Sequence, residues 1–163
     1  MSLDILFIHP NASKKIYQGL SNEHSAIEPP IWAGMLANHC KNKNHDVKIL
    51  DCEVEKLDYI SSAKKIKEFK PRIACFVVYG QQPSASSQNM EGAVATSEEL
   101  KRLDPEIKVL FVGGHVSALP RETLLTEKSI DIIALNEGVY SISNLLNVEN
   151  LNDEKYLKKV TQQ

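Results

Sequence analysis

Four short stretches of this chain carry residue types suited to holding a ligand. They are His9-Pro10-Asn11, Gly80-Gln81-Gln82-Pro83-Ser84-Ala85-Ser86-Ser87-Gln88-Asn89, Gly113-Gly114-His115 and Asn136-Glu137-Gly138. Glycines remove side chains where something bulky approaches the backbone. Amides and hydroxyls add neutral hydrogen bonds, which suit a large uncharged ligand better than a phosphate. Bond-breaking chemistry finds little support in the same residues. There is no Gly-x-Ser-x-Gly elbow, and no acid and base can be placed together from the sequence. The three cysteines, Cys40, Cys52 and Cys75, form no Cys-x-x-Cys pair, so neither a zinc site nor a cluster is indicated. They read as buried, reduced thiols of a cytoplasmic protein.

Each stretch follows a short apolar run, and these runs are the elements that must position it. Strands are expected at Leu3 to His9, Asp46 to Asp51, Ile73 to Tyr79, Lys108 to Val112 and Ile130 to Leu135. All five are dense in Val, Ile, Leu and Phe without strict alternation, as strands covered on both faces are. Helical periods separate them. Pro29-Pro30 opens the first helix, whose apolar stripe reads Trp32, Met35, Leu36 and Cys40. Leu57 to Phe69 is the second, stopped by Pro71. Gln88 to Leu103 is the third; a polar loop after Gly113-Gly114 leads to Pro120, which opens a short fourth, and Val139 to Leu146 is the fifth. Strand–helix alternation of this kind predicts a parallel sheet with right-handed crossovers. In such sheets ligands sit beyond the carboxyl ends of the strands, where all four stretches fall. The connections 10–28 and 80–87 are long for a compact domain, as functional loops are.

At 163 residues, 42% hydrophobic and 25% charged, the chain has the composition of one soluble domain. A net charge of −2 leaves no footprint for nucleic acid. No apolar run approaches the ~20 residues of a membrane span, and the amino terminus is no signal peptide. Residues 1–147 read as the domain and 148–163, rich in Asn, Glu, Asp and Lys, as a polar tail or linker. The strand ends exclude several relatives of this architecture. The first strand lacks a Ser/Thr/Gly-rich phosphate loop for FMN, and it lacks Gly-x-Gly-x-x-Gly. The acids that a receiver domain carries after strands one and three are missing as well.

Several segments resemble the cobalamin-binding domain of cobalamin-dependent radical SAM enzymes. They are Glu28-Pro29-Pro30-Ile31-Trp32-Ala33-Gly34-Met35-Leu36-Ala37, His45-Asp46-Val47-Lys48-Ile49-Leu50-Asp51, and Gly113-Gly114-His115-Val116-Ser117-Ala118-Leu119-Pro120. The opening Ile5-Leu6-Phe7-Ile8-His9-Pro10-Asn11 is similar to the branch containing the anaerobic magnesium-protoporphyrin monomethyl ester cyclase. Asn136-Glu137-Gly138 stands where that family commonly has Gly-Glu-Gly. Pattern and resemblance together lead to a Rossmann-like, flavodoxin-like sheet of five parallel strands in the order 2-1-3-4-5, with helices on both faces.

The resemblance implies cobalamin held at the carboxyl edge of the sheet, its nucleotide tail displaced from cobalt and inserted between strands and helices. Gly113, Gly114, Asn136, Glu137 and Gly138 would line the tail, and glycines would be wanted because side chains there would strike it. Tyr79, Gly80, Gln81 and Ser84 would lie between tail and corrin, with His9 and Pro10 near the corrin edge. His115, Val116 and Leu119 complete the cofactor-binding set. Two departures qualify the likeness. No histidine has a glycine three positions later, so Asp-x-His-x-x-Gly is missing and cobalamin is expected base-off, without a protein histidine on cobalt. The Cys-x-x-x-Cys-x-x-Cys of the radical SAM half is missing too, so no iron–sulfur cluster is expected in this chain, which ends where that half would begin. The expectation is a cobalamin module that is not catalytic alone and serves a radical SAM or methyl-transfer partner. The alternative is a flavodoxin-like sensory or protein-interaction domain without a cofactor.

Overall fold

The structure, a computed structural model, describes residues 3–11, 29–80 and 83–152, with the backbone alone for 83–85. The connection expected over 10–28 therefore lies almost wholly outside the described residues, as do Gln81 and residues 153–163 of the expected tail.

Strands β1 (Leu3–His9), β2 (Val47–Asp51), β3 (Pro71–Val77), β4 (Lys108–Val112) and β5 (Ile132–Ala134) form one parallel sheet in the order β2-β1-β3-β4-β5. Side chains alternate across it. Leu6, Ile8, Phe76, Phe111 and Ile133 face one way, while Ile5, Phe7, Cys75, Val112 and Ile132 face the other. Apart from the edge strand β2, whose Lys48 and Ile49 are exposed, the strands are covered on both faces, which is why they read as continuous apolar runs. Phe76 and Phe111, fully buried, stack with centroids 5.0 Å apart and anchor the first face. Burying a ring of that size is worth roughly 2 kcal/mol.

Helices α1 (Ile31–Lys41) and α6 (Val139–Leu146) cover one face; α2 (Tyr59–Phe69) and α3 (Pro83–Leu103) cover the other. Asp58 caps α2 by accepting from the Ser61 amide at 2.8 Å, so that helix starts two residues after the expected Leu57. At its far end Pro71 keeps Lys70 out of the right-handed region, and Lys70 turns left-handed at φ +48°. Two short helices, α4 (Gly114–Ala118) and α5 (Pro120–Thr126), link β4 to β5. Past α6 the chain continues to pack, with Val148 and Leu151 buried against the α1/α6 side.

Three expectations need correction. The connection after β3 is short, because α3 starts at Pro83 rather than Gln88; proline suits a first helical turn, and Ser and Asn side chains there find tertiary partners. The stretch after Gly113 is helix α4, not a loop. On α1 the buried stripe is Ala33, Leu36, Ala37 and Cys40; Trp32 and Met35 turn outward, 37% and 59% exposed. The small residues face the sheet because the helix sits close to it, and the large ones are left at the carboxyl edge.

The cysteines are free and buried. Burial pushes the Cys40 and Cys52 thiols up to about 11 and raises Cys75 well above its usual range, leaving all three in the unreactive thiol form at neutral pH. No described helix is long and apolar enough to cross a membrane.

Candidate functional site

The connection from β1 runs to β2 on one side of it, and the chain then returns to place β3 on the other. Between the carboxyl ends of β1 and β3 this reversal opens a crevice, the usual ligand position in open α/β sheets. A cleft of about 230 Å³ lies there, walled by His9, Trp32, Met35, Val77, Tyr79 and Gly80, among others. Most of that wall is apolar.

His9 ends β1 at 8% exposure. Its Nε2 lies 3.3 Å from the Glu53 carboxylate. Glu53 is brought there by a side-chain turn: Asp51 accepts from the amides of Glu53 and Val54, each at 3.1 Å. Pro10, next in the chain, is buried.

Tyr79 is held from three directions. Its ring stacks on Trp32, with centroids 4.5 Å and planes 23° apart. Its hydroxyl donates to the Asn136 carbonyl, and its own carbonyl accepts from Asn89 Nδ2 at 2.9 Å. Burial first, and then the nearby Glu137 carboxylate, raise the phenol above its usual range and keep it a donor.

On the α2/α3 side, Ser86 joins three elements. It is buried, donates to the Val78 carbonyl and accepts from the His115 amide at 2.9 Å. Ser87 Oγ meets His115 Nδ1 at 2.9 Å. Ser86, Ser87 and Asn89 are thus spent tying β3, α3 and α4 together. They sit on a helix whose first turns must be bonded to something. The Ser117 hydroxyl on α4 is different: buried, it has no hydrogen-bond partner among the described residues.

Two of the glycines, Gly113 and Gly138, are required for reasons internal to the protein. A Cβ on Gly113 would lie 2.5 Å from the Val78 carbonyl oxygen, while its own φ of 162° is extended backbone that any residue adopts. Gly138 is left-handed at φ +69°, and a Cβ there would meet Val112 Cγ2 at 2.8 Å. Gly114 differs: it is exposed with room for a methyl, its nearest neighbour being Ser86 at 3.6 Å. Asn136, left-handed at φ +52°, and Glu137 are exposed on the turn after β5.

Of the residues singled out from sequence, His9, Tyr79 and Gly80 line the cleft, and Asn136 reaches it through Tyr79. Gly113, Gly114 and His115 lie at the same edge toward α3. Val116 does not reach the edge: it is fully buried among Phe76, Phe111 and their neighbours. Leu119 is exposed between α4 and α5. Ser84 falls in the first turn of α3, and Gln81 lies outside the described residues. Sequence reasoning missed Glu53, Ser117 and above all Trp32. A signal for Trp32 existed: the first two turns of α1 are apolar all round, more than one buried face can use.

A ligand-binding α/β domain with its cleft at the switch point is the class that fold and site define. Within that class the family is specific: the B12 binding domain model matches residues 19–146, and the chain belongs to that family. It is also 29% identical, over 132 residues, to an uncharacterized methyltransferase of Pyrococcus horikoshii. That match covers 81% of this chain but only 27% of the relative, so the chain spans little more than a quarter of that protein's length.

Proposed function

We propose that this chain binds cobalamin base-off at the carboxyl edge of its sheet, without a protein histidine on cobalt, and serves a catalytic partner that transfers methyl groups or runs radical SAM chemistry. The observation that carries this is the apolar, aromatic-walled cleft at the β1/β3 switch point of a B12-binding-domain chain. An apolar wall with a few polar groups at its rim suits a corrin, whose flat face is apolar and whose periphery carries amides.

His9, Pro10, Trp32 and Met35 would take the corrin face, and Gly80, Gly114 and His115 its amide rim. Gln81 and Ser84 are proposed between corrin and tail. Tyr79, Asn136 and Glu137 would meet the nucleotide tail, with Gly113 and Gly138 holding the backbone that shapes this edge. The unpaired Ser117 hydroxyl offers a hydrogen bond to a polar group of the ligand. One fact favours the absence of a histidine on cobalt: the chain has no Asp-x-His-x-x-Gly. When bound, the cobalt supplies the methyl-transfer chemistry; the protein binds, orients and shields it. The methyltransferase name of the Pyrococcus relative supports methyl transfer as the partner's reaction.

Incubation with hydroxocobalamin followed by gel filtration should yield a coloured protein peak; a colourless peak overturns the proposal. Paramagnetic resonance of the bound cobalt(II) form should lack nitrogen splitting from an imidazole. Such splitting would overturn the ligand assignment alone.

A further inference from the structure

Trp32 stands in the first turn of α1, and Tyr79 just beyond β3. The Tyr79 hydroxyl reaches the Asn136 carbonyl in the turn after β5. In the sheet β4 lies between β3 and β5, so the phenol spans the end of β4. Tyr79 packs with the apolar cluster shared by α1 and α6, which puts this bridge on their side of the sheet. Trp32, stacked on the phenol and one-third exposed, covers it from α1.

Other routes into this edge are filled by the protein itself. The Val78 carbonyl occupies the space beside Gly113, and Val112, Ala134 and Ile142 surround Gly138. On the α2/α3 side Ser86 holds β3 to α4. A planar base entering between α1 and α6 therefore meets Tyr79 first. It can replace what it displaces, since a flat heteroaromatic ring stacks on tyrosine or tryptophan as well as they stack on each other.

We infer that Trp32 and Tyr79 form an aromatic latch that discriminates among corrinoids by their nucleotide base. A corrinoid carrying that base is admitted between α1 and α6 only once the phenol releases the Asn136 carbonyl. A corrinoid lacking the base rests on the cleft with the latch shut. This rests on the base-off reading above and assigns the selectivity of that site to two side chains. One neutral hydrogen bond is worth roughly fivefold in an equilibrium, which sets the scale of the effect.

The test follows corrin absorbance after rapid mixing of the full chain with hydroxocobalamin or with cobinamide, which has no nucleotide base. Tyr79→Phe keeps the ring and loses the latch bond; Trp32→Ala removes the cover from an exposed position. Tyr79→Phe should raise the cobalamin association rate roughly fivefold, by the hydrogen-bond scale above, and leave the cobinamide rate unchanged; Trp32→Ala should raise the ratio of the cobalamin rate to the cobinamide rate. Wild-type rates in both variants, or equal acceleration for both corrinoids, overturn the latch while leaving cobalamin binding intact. Failure of the wild-type chain to bind hydroxocobalamin overturns the proposed function and the latch together.

Discussion

The two sides of the sheet's carboxyl edge are built on opposite plans. Toward α3 and α4 the polar groups satisfy one another: Ser86 with Val78 and His115, and Ser87 with His115. Gly113 there is pressed against the Val78 carbonyl. Toward α1 and α6 the edge keeps large side chains in reach of solvent, with Trp32, Met35 and Ile31 exposed around the cleft. The first side is a brace, and the second is the face proposed above to bind. Glycine and serine at a strand end can thus mark where a protein holds itself together, while uncovered aromatic and apolar side chains mark where something else must pack.

Substitutions can break or sharpen this contrast. The largest effect is expected from Gly113→Ala. Its new Cβ meets backbone that cannot step aside, and denaturant unfolding should show a loss of about 3 kcal/mol. Ser86→Ala should follow at about 2 kcal/mol in the same measurement, because a buried carbonyl and a buried amide lose their partner. On the binding face, Met35→Ser should change unfolding stability by less than about 0.5 kcal/mol. Hydroxocobalamin titration should nonetheless show roughly fivefold weaker binding, the value of one lost apolar contact. Gly114→Ala is the smallest, within about 0.5 kcal/mol in thermal unfolding, since its Cβ finds only ordinary contacts. Equal losses for Gly113→Ala and Gly114→Ala would erase the distinction between brace and open rim. A large stability loss at Met35 would show that the cleft wall is core.

Most of the fold was legible because burial on both faces leaves a local trace. The bounds of β1, β4 and α6 coincide with the apolar runs Leu3 to His9, Lys108 to Val112 and Val139 to Leu146. The start of α3 and the existence of α4 were not legible. Ser, Gln, Asn and Gly have weak local preferences, and their helical state here depends on tertiary bonds such as Ser86 to His115. His9, Tyr79 and Gly80 could be placed beside the cleft because they stand at or just past strand ends, which fixes them at the carboxyl edge. Trp32 was not found, because a helix of apolar residues does not announce which of them faces the sheet.

The sequence by itself determined the strand–helix alternation, the parallel sheet and the edge at which sheets of this kind hold ligands, since these follow from periodicity, chain length and crossover geometry. It also carried the segments by which the chain joins the B12-binding domain family. Only the tertiary structure decided what each residue at that edge does. Gly113 answers to a carbonyl thirty-five positions away in the chain and Tyr79 to one fifty-seven positions away. Distances of that kind are set by how strands pair and helices settle on them, and no local pattern encodes them.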